Sequence, residues 1–330
     1  MNQYTAQSFW VSKKKGSIKK EPIEGLLEKD EILVKTLYSG ISYGTEKIVF
    51  DGQVPQNQYD FMRAPHQVGQ FNSATKYGYL NIGQVVQGPK KLLNKHVYTM
   101  FPHQSMYIIK ASLATLIPND IPLRRALLTA NMETAINAMW DSKPSIGDKV
   151  YVVGAGIVGI LMAYVLSNTF GVEVTIIDKD SKKNKLCKLL GLVYKSDSSC
   201  IKDADIIYEC TGNADVLNQL IMQSTLETKI CILSWYGKQQ TKIKMGENCF
   251  SRRLEIIFSQ VGNISAYKSK KWNNLSRRLL ALNMLKDKRL DILIDKQEIL
   301  LKDLPTFFKK GNPNGPVSYT HLTLPTILLV

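Results

Sequence analysis

The sequence predicts an α/β protein of two domains, one rich in β-strands and one with a doubly wound parallel sheet. Three observations carry this prediction. A β-branched run at 150–153 breaks at once into closely spaced glycines, as a buried strand does where it turns into a helix. The residues before 118 form short apolar runs between glycines and prolines, which favours strands and loops. With 330 residues, the chain is long enough for two hydrophobic cores.

The glycines after the strand have the G-x-G-x-x-G spacing of a dinucleotide-binding turn. In such a turn the first glycine permits a backbone twist, the second lets the main chain approach a pyrophosphate, and the third lets the next helix lie against the sheet. The N–H groups at the start of that helix would face the phosphates. A plain glycine-rich turn is the alternative. The residues expected to contact a cofactor here are Gly154, Ala155, Gly156, Ile157, Val158 and Gly159.

A second apolar strand ends in Asp178, about 20 residues after the glycines, where an acidic side chain would hydrogen-bond an adenosine ribose. A carboxylate accepts the ribose 2′-hydroxyl and repels a 2′-phosphate, so Asp178 favours NAD(H). Lys179, Lys182 and Lys183 soften this preference and keep NADP(H) as the alternative. Lys179 is included among the expected cofactor contacts.

The other elements follow in an order typical of a parallel sheet. Apolar residues at helical spacing begin after Pro118 and lead into the glycine strand. After Asp178 come a basic helix, a strand that ends near Thr211 and Gly212, a helix and two further apolar segments, which together predict about six strands. Thr211 and Gly212 are added to the cofactor contacts. A helix after Trp272 then precedes a strand, a turn and a short helix.

These patterns predict two domains with one return of the chain. Residues 1–117 and 263–330 would form the β-rich domain, and residues 118–262 the nucleotide-binding domain. The segment 317–330, VSYTHLTLPTILLV, is out of character and resembles translated sequencing-adaptor read-through. We expect it to be foreign to the protein, and a genuine terminal strand is the alternative. His321 is therefore given no function.

The composition favours a cytoplasmic protein that acts on a small molecule. The formal net charge of +15 would suit an anionic partner, but the lysines and arginines are scattered, which predicts a solvated surface and neither a nucleic-acid nor a membrane partner. Five cysteines without a C-x-x-C pair favour reduced thiols. The longest apolar run, 150–166, is explained by the strand, glycine turn and helix, so we predict no membrane span.

The order of domains resembles the medium-chain dehydrogenase/reductase superfamily. EILVKTLYSGISYGTE is similar to the segment with its first zinc ligand and KYGYLNIGQVV to its Gly-His-Glu loop, while ANMETAINAMW, GDKVYVVGAGIVG and ILLKDLP add to the match. The alcohol dehydrogenase-like and bacteriochlorophyllide dehydrogenase-like branch is the most similar. The resemblance implies a GroES-like catalytic domain, a Rossmann domain, a nicotinamide cofactor and a homo-oligomer.

The chain departs from this family at the zinc ligands. The three ligand positions fall on Tyr43 or Ser42, on Tyr79 with Leu80, and on Ala130 or Asn131. Catalytic zinc needs three protein ligands of N, S or O type around an open position, and none of the expected ones survives as a strong ligand. The resemblance therefore implies an enzyme without zinc. A replacement site drawn from Glu46, His66, His103 or Glu133 is the alternative.

Without a metal, hydrogen-bond donors would have to stabilise the substrate oxygen during hydride transfer. By resemblance, Tyr79 stands in place of a zinc-binding histidine, and Tyr43 and Thr45 stand on the first-ligand segment. These three are candidates for substrate contact or acid catalysis, unless the tyrosines only fill the vacated volume. His103, near the predicted domain junction, is a further candidate because histidine titrates in a useful range. A surface-loop histidine is the alternative.

Two helical residues complete the predicted site. By resemblance, Glu133 faces the nicotinamide and would act as a base or bind a substrate cation, and Thr134 contacts the nicotinamide. A solvated helical glutamate is the alternative for Glu133. The sequence thus predicts a zinc-independent oxidoreductase that transfers a hydride between NAD(H) and an alcohol/carbonyl pair. An enoyl or quinone reductase and a non-catalytic nucleotide-binding homologue are the alternatives.

Overall fold

The computed structural model describes residues 4–23, 25–294 and 298–311, together with the backbone of 319–321. The chain divides into two compact units. Unit 1 contains Met1–Thr129, Leu282–Lys286 and Leu293–Val330, and unit 2 contains Ala130–Ala281 and Asp287–Ile292. These bounds differ from the predicted domains, because the short helix before residue 129 belongs with the β-rich unit and most of the helix after Trp272 belongs with the nucleotide unit.

The secondary structure contains seventeen strands and eight α-helices within the described residues. The strands are β1 (Thr5–Ser12), β2 (Lys15–Pro22), β3 (Glu31–Gly40), β4 (Val68–Gly69), β5 (Thr75–Lys76), β6 (Leu80–Gln87), β7 (His96–Thr99), β8 (Met106–Lys110), β9 (Thr115–Leu116), β10 (Lys149–Val153), β11 (Glu173–Ile177), β12 (Val193–Lys195), β13 (Ile206–Glu209), β14 (Lys229–Ile232), β15 (Glu255–Phe258), β16 (Ile299–Leu300) and β17 (Tyr319–His321). The helices are α1 (Tyr43–Phe50), α2 (Leu123–Ala126), α3 (Thr129–Ser142), α4 (Ile157–Ser167), α5 (Lys183–Leu189), α6 (Ala214–Gln223), α7 (Asn274–Met284) and α8 (Leu304–Lys310). Short 3₁₀ segments lie at Gln56–Gln58, Ala111–Leu113, Ser198–Cys200, Lys288–Leu293 and Leu301–Asp303, and a π-helical turn lies at Met245–Cys249.

Unit 1 is built on two sheets. One has the order β2-β1-β5-β4, and the other has the order β16-β17-β3-β6-β7-β9 with β8 paired to β3. The pairings are antiparallel except for β16 with β17. The register of β3 against β6 shifts between Thr36 and Tyr38, directly before Ser39. Such irregularities change the direction of nearby side chains, and Ser39 belongs to the candidate site described below.

Helix α1 contradicts the prediction that residues 41–117 contain only strands and loops. The helix begins after Ser42, and the carboxylate of Glu46 accepts the Ser42 N–H at 2.8 Å. This contact satisfies one of the backbone donors that a helix start leaves free, in a variant of the capping box. A serine followed closely by a glutamate is therefore the local signal that the sequence analysis missed.

Unit 2 contains the parallel sheet, with the order β12-β11-β10-β13-β14-β15 and parallel pairing throughout. The prediction of about six parallel strands is confirmed. The chain order reverses between the two central strands, β10 and β13, and in open α/β sheets ligands bind outside the carboxyl ends of the strands at such a point. Buried aliphatic residues of β13, α6 and β14, among them Ile207, Leu220 and Ile230, form the core on one side.

Two remaining predictions concern membrane spans and the final segment. None of the helices in the described parts of the chain is both long and apolar enough to cross a bilayer.

Within the final segment, the backbone of β17 pairs with β3 in antiparallel register. The other residues of 317–330 lie outside the described residues, so the expectation that this segment is foreign stays a prediction.

Candidate active site

The glycine turn of unit 2 uses each of its three glycines differently. Gly154 has a φ of +106°, and a Cβ there would lie 2.7 Å from the Cys210 carbonyl. A Cβ on Gly159 would lie 1.8 Å from the Gly154 carbonyl oxygen. Gly156 is exposed, and a Cβ there would meet nothing within 4 Å. The first and third glycines are therefore required for packing, while the second leaves open space beside the main chain.

This open space lies at the start of helix α4. Gly156 is the N-cap, and its carbonyl accepts the first helical hydrogen bond from Ile160 at 2.9 Å. Ile157 and Val158 form the half-buried first turn. The N–H groups at a helix start have no partner within the helix and carry a partial positive charge, so this turn can bind a phosphate.

Asp178 lies after β11 and holds the glycine turn. Its Oδ2 accepts the Ala155 N–H at 2.7 Å, and its Oδ1 accepts the Asp180 N–H at 2.8 Å. A carboxylate oxygen has two lone pairs, so Asp178 retains acceptor capacity for a ribose hydroxyl. Lys179 is exposed beside it. Asp178 thus positions the backbone of the turn in addition to its predicted contact with a cofactor.

The end of β13 carries a buried acid that sequence reasoning missed. The Oε1 atom of Glu209 accepts the Thr211 N–H at 2.7 Å and the Thr211 hydroxyl, and its Oε2 accepts the Tyr236 hydroxyl at 2.6 Å. Burial, followed by the Glu209 charge, raises the pKa of Tyr236. Gly212 has a φ of +72°, and its N–H donates to Ser234 Oγ at 2.9 Å. Glu209 therefore fixes the loop that contains two predicted cofactor contacts.

Glu133 is a buried ion-pair residue in unit 2. It is 2% exposed, so the alternative of a solvated glutamate is wrong. Its two oxygens lie 3.3 Å from Nε of Arg277 and 3.3 Å from Nε of Arg278 on α7. Burial lowers the pKa of Arg277, and the Glu133 charge partly offsets this. Both carboxylate oxygens join α3 to α7, which favours a structural role over the predicted base.

Thr134, the next residue on α3, hydrogen-bonds along its own helix. Its hydroxyl donates to the Ala130 carbonyl at 3.0 Å, and the side chain is half-buried. A hydroxyl in this arrangement keeps its lone pairs free as acceptors. Its contact with a nicotinamide stays a prediction.

Unit 1 contains a chain of hydrogen bonds between three buried polar side chains. Ser39 Oγ lies 2.6 Å from His103 Nδ1, and His103 Nε2 lies 2.7 Å from Glu46 Oε2. The exposed fractions of Ser39, His103 and Glu46 are 0%, 1% and 4%. The alternative of a surface-loop histidine is therefore wrong. A Cβ on Gly78, which has a φ of +126°, would lie 3.0 Å from the imidazole, so this glycine permits the close approach.

Tyr79 lies within electrostatic range of the Glu46 carboxylate. It is half-buried, and the hydroxyl groups of Ser42 and Thr45 lie near its phenol. Burial and then the Glu46 charge raise the pKa of Tyr79 to about 12, and the two hydroxyl contacts oppose the rise. The phenol is thus neutral at pH 7 and can donate a hydrogen bond to an oxygen. The Tyr77 ring packs edge-on against Tyr79, with 6.1 Å between centroids.

Tyr43 is separate from this group. Its ring stacks on Phe308 at 6.3 Å and packs edge-on against Phe307 at 6.0 Å. Tyr43 and Thr45 stand two positions apart on α1, and such positions point to different sides of a helix. The structure therefore joins His103 to Glu46, places Tyr79 within electrostatic range of that carboxylate and near the Thr45 hydroxyl, and places Tyr43 in an aromatic cluster. Ser39 and the bond between Glu46 and His103 were missed, because the bonded partners lie 64 and 57 residues apart in the chain.

The side chains in place do not fit a catalytic zinc. Within the described ranges, no three histidine, cysteine, aspartate or glutamate side chains converge on one point. Of the alternative ligands, His103 and Glu46 bind each other, His66 stacks on Phe101 at 5.0 Å, and Glu133 is paired with arginines. A catalytic zinc needs three protein ligands and an open position.

Comparison with known proteins gives a local sequence match and a global structural one. Residues 152–182 match the family model described as an NAD(P)-binding Rossmann-like domain, and they span the glycine turn and Asp178. No curated protein matches the chain. The matched residues include the open helix start at Gly156.

Solved structures of several enzymes are similar over nearly the whole chain. L-idonate 5-dehydrogenase from Escherichia coli has 13% identity and a TM-score of 0.76, and the match covers 97% of this chain and 99% of that one. Acetophenone reductase from Geotrichum candidum, in complex with NAD, has 14% identity and a TM-score of 0.75. The match covers 96% of this chain and 97% of that one. 2R,3R-butanediol dehydrogenase from Bacillus subtilis has 17% identity and a TM-score of 0.72, and the match covers 96% of this chain and 99% of that one. The chain has the medium-chain dehydrogenase/reductase fold. The predicted fold class is confirmed, and the bacteriochlorophyllide dehydrogenase-like branch stays a prediction.

Proposed function

We propose that the protein is a zinc-independent oxidoreductase that transfers a hydride between a nicotinamide cofactor and an alcohol/carbonyl substrate. The observation that carries the proposal is Tyr79. A neutral phenol, with the hydroxyl groups of Ser42 and Thr45 nearby, occupies the segment that resembles the zinc-binding loop of the family. A hydrogen-bond donor of this kind can stabilise a substrate oxyanion without a metal.

The proposed cofactor is NAD(H), with NADP(H) as the alternative. The exposed Gly156 and the start of α4 offer a site for the pyrophosphate, and Asp178 offers an acceptor for a ribose hydroxyl. The match of this segment to an NAD(P)-binding family model supports the proposal. So does the NAD complex of the acetophenone reductase, a protein of the same fold.

The bound nicotinamide would supply or accept the hydride. The protein then has to orient the substrate oxygen and stabilise the charge that develops on it. In the proposed reaction, Tyr79 donates a hydrogen bond to that oxygen, and Ser42 and Thr45 orient the phenol. Because the pKa of Tyr79 is about 12, the phenol retains its proton until the oxyanion forms.

The test combines metal analysis, cofactor titration and a substrate panel. We expect the purified protein to contain less than stoichiometric zinc, to bind NADH by fluorescence and to oxidise it with ketones or aldehydes. Tyr79→Phe should lower kcat by about 100-fold and leave NADH binding unchanged. Tyr267→Phe is the matched control, because Tyr267 is 61% exposed and lies in unit 2.

Three outcomes would contradict the proposal in different ways. Stoichiometric zinc whose removal abolishes activity would overturn the metal-free chemistry. Turnover of enones without turnover of ketones would indicate an enoyl or quinone reductase. NADH binding without turnover of any substrate, unchanged in Tyr79→Phe, would indicate a non-catalytic nucleotide-binding protein.

We also propose that the protein is a cytoplasmic homo-oligomer. Among the described strands, β15 pairs on one side only, and its Phe258 is 71% exposed. An edge strand with an exposed aromatic side chain favours association with another chain. All five cysteines are free, which suits a reducing compartment. Light scattering of the wild type and of Phe258→Lys tests the association, and a monomeric wild type would contradict it.

A further inference from the structure

Glu209 is a fully buried carboxylate at the carboxyl end of β13, with an exposed fraction of 0%. Its hydrogen-bond donors are the Thr211 N–H, the Thr211 hydroxyl and the Tyr236 hydroxyl. All three groups donate to the carboxylate oxygens, which is the arrangement that an acceptor-only carboxylate requires. Within the described parts of the chain, no basic side chain forms an ion pair with it. A buried negative charge at this position therefore has no counter-ion among those residues.

Glu209 lies directly beside the strand that leads into the glycine turn. Val153, the last residue of β10, pairs with Glu209 on one side and with the end of β11 on the other, just before Asp178. Neighbouring strands are about 4.8 Å apart. A Cβ on Gly154 would lie 2.7 Å from the carbonyl of Cys210, so the chain after Glu209 packs against the turn. Asp178 and Glu209 thus flank the glycine turn on opposite sides.

The order of the strands gives the direction of a cofactor bound at this edge. In the proposed binding, the adenosine ribose contacts Asp178 after β11, and the pyrophosphate meets the open main chain at Gly156 after β10. The next strands in the same direction across the sheet are β13 and β14. An extended dinucleotide that continues in this direction brings its nicotinamide half to the ends of these two strands, where Glu209 lies.

The loops after β13 and β14 are joined around Glu209. The Tyr236 hydroxyl of the second loop donates to Glu209 at 2.6 Å. The Gly212 N–H of the first loop donates to Ser234 Oγ at 2.9 Å, and Gln239 Nε2 donates to the Gly212 carbonyl at 3.0 Å. These bonds fix the carboxylate in one place. A charge that is fixed before a ligand arrives can discriminate between ligands without first being reoriented.

The two redox forms of a nicotinamide cofactor share the adenosine and the pyrophosphate but differ in the charge of the ring, which is positive in NAD+ and neutral in NADH. The ratio of their affinities therefore reports on the surroundings of the nicotinamide alone. We propose that Glu209 is a specificity-determining residue that favours the oxidised cofactor, because its buried charge attracts the cationic ring. The inference rests on the proposed function, which supplies the nicotinamide cofactor.

The test measures binding without turnover. Fluorescence titration with NADH, followed by competition with NAD+, gives the dissociation constants of both forms for the whole protein. Glu209→Gln keeps the shape of the side chain and removes its charge, so we expect the ratio Kd(NAD+)/Kd(NADH) to rise by about fivefold or more. Glu255→Gln is the matched control. Glu255 is exposed at the amino end of β15, on the opposite edge of the same sheet, so the ratio should stay within about twofold of the wild type.

Tyr236→Phe separates the charge of Glu209 from the position of the loops. It removes the bond between the loop after β14 and the carboxylate, and it retains the charge. We expect it to weaken the binding of both forms by a similar factor, with the ratio within about twofold of the wild type. A larger change of the ratio in Tyr236→Phe than in Glu209→Gln would assign the discrimination to the loop and overturn the inference.

The outcomes for the inference and for the proposed function are distinct. An unchanged ratio in a folded Glu209→Gln protein that binds both forms would overturn the inference and leave the proposed function standing. A wild-type protein that binds neither form would contradict the proposed function and the inference with it.

Thr211→Lys keeps the test decisive if Glu209→Gln does not fold, as judged by circular dichroism. Thr211 is exposed and its hydroxyl donates to Glu209, so a lysine there places an ammonium group beside the carboxylate without removing it. We expect the ratio Kd(NAD+)/Kd(NADH) to rise as in Glu209→Gln, because the negative charge is offset. An unchanged ratio in Thr211→Lys would equally overturn the inference.

Discussion

His103 and Glu46 bind each other at 2.7 Å in the interior of unit 1, and their positions are 57 residues apart in the chain. A buried pair of this kind stabilises a fold mainly by leaving neither group without a partner, because taking two charged groups out of water is costly. The pair also links helix α1 to the loop after β7. Loss of either partner should therefore affect stability.

We expect His103→Ala to lower the free energy of unfolding by about 3–5 kcal/mol, because Glu46 then remains buried without its partner. Urea denaturation followed by fluorescence measures the change. His96→Ala, at a histidine outside this group of residues, should cost about 1 kcal/mol or less. Equal losses in the two variants would contradict the role assigned to the His103–Glu46 pair.

The glycine turn provides a pair of matched variants. Gly159→Ala would place a Cβ against the Gly154 carbonyl oxygen and should cost at least about 3 kcal/mol of stability, with loss of NADH binding. Gly156→Ala meets open space, so its stability should change by about 0.5 kcal/mol or less. It should still weaken NADH binding by about tenfold, which corresponds to about 1.4 kcal/mol, because the Cβ would occupy the approach to the pyrophosphate.

Thermal unfolding and fluorescence titration of both proteins measure these effects. Wild-type affinity in Gly156→Ala would indicate that the cofactor does not approach the turn as proposed.

Glu133→Gln separates a structural role from a catalytic one. If the carboxylate serves to hold Arg277 and Arg278, the variant should lose about 3 kcal/mol of stability because two guanidinium groups lose their counter-charge. Its kcat at a temperature well below unfolding should then stay within about threefold of the wild type. A fall in kcat of about 100-fold with unchanged stability would instead support the predicted base.

Stability should also fall at alkaline pH. Burial raises the pKa of the Cys187 thiol to about 11, and burial together with neighbouring carboxylates raises the pKa of Tyr79 and of Tyr164 to about 12. These groups hold their protons more tightly in the folded protein than in the unfolded chain. Their contribution is complete below the unfolded values of 9 for the thiol and 10 for the phenols, and it is lost as the pH rises toward the folded values.

We therefore expect the free energy of unfolding to decrease from about pH 9 upward, as measured by denaturation at a series of pH values. Cys187→Ala should show a shallower decrease between pH 9 and 11, because one of the groups that causes the slope is absent. A pH-independent stability over this range would contradict the burial of these groups.

The nucleotide unit was predicted well because its signals are local. The strand, the three glycines and Asp178 lie within 30 consecutive residues, and the packing of the structure requires the first and third glycines at the positions that the spacing indicates. The alternation of strands and helices likewise follows from short periodic patterns. What could not be predicted there is the ion pairing of Glu133, because its partners Arg277 and Arg278 lie more than 140 residues away.

The site in unit 1 was predicted only as a set of isolated residues. Tyr79, Thr45 and His103 were named from the family resemblance and from their chemistry, but Glu46, which binds His103, was considered only as a metal ligand. Side-chain bonds across 57 and 64 residues leave no periodic signal in a single sequence. The helix that carries Glu46 was missed because its N-terminal contact departs from the usual capping box. The glutamate stands four residues after the serine, whereas the capping box has it three residues after.

Gly78 allows the main chain to pass close to the imidazole of His103, which is bonded to Glu46. It separates Tyr77 from Tyr79, its φ of +126° is unfavourable for any other residue, and its Cα faces the imidazole of His103. A single added methyl group at this position would displace the imidazole without altering a titratable group. The distance between His103 and Glu46 therefore depends on a residue that has no charge, no hydrogen-bonding side chain and no place in a catalytic motif.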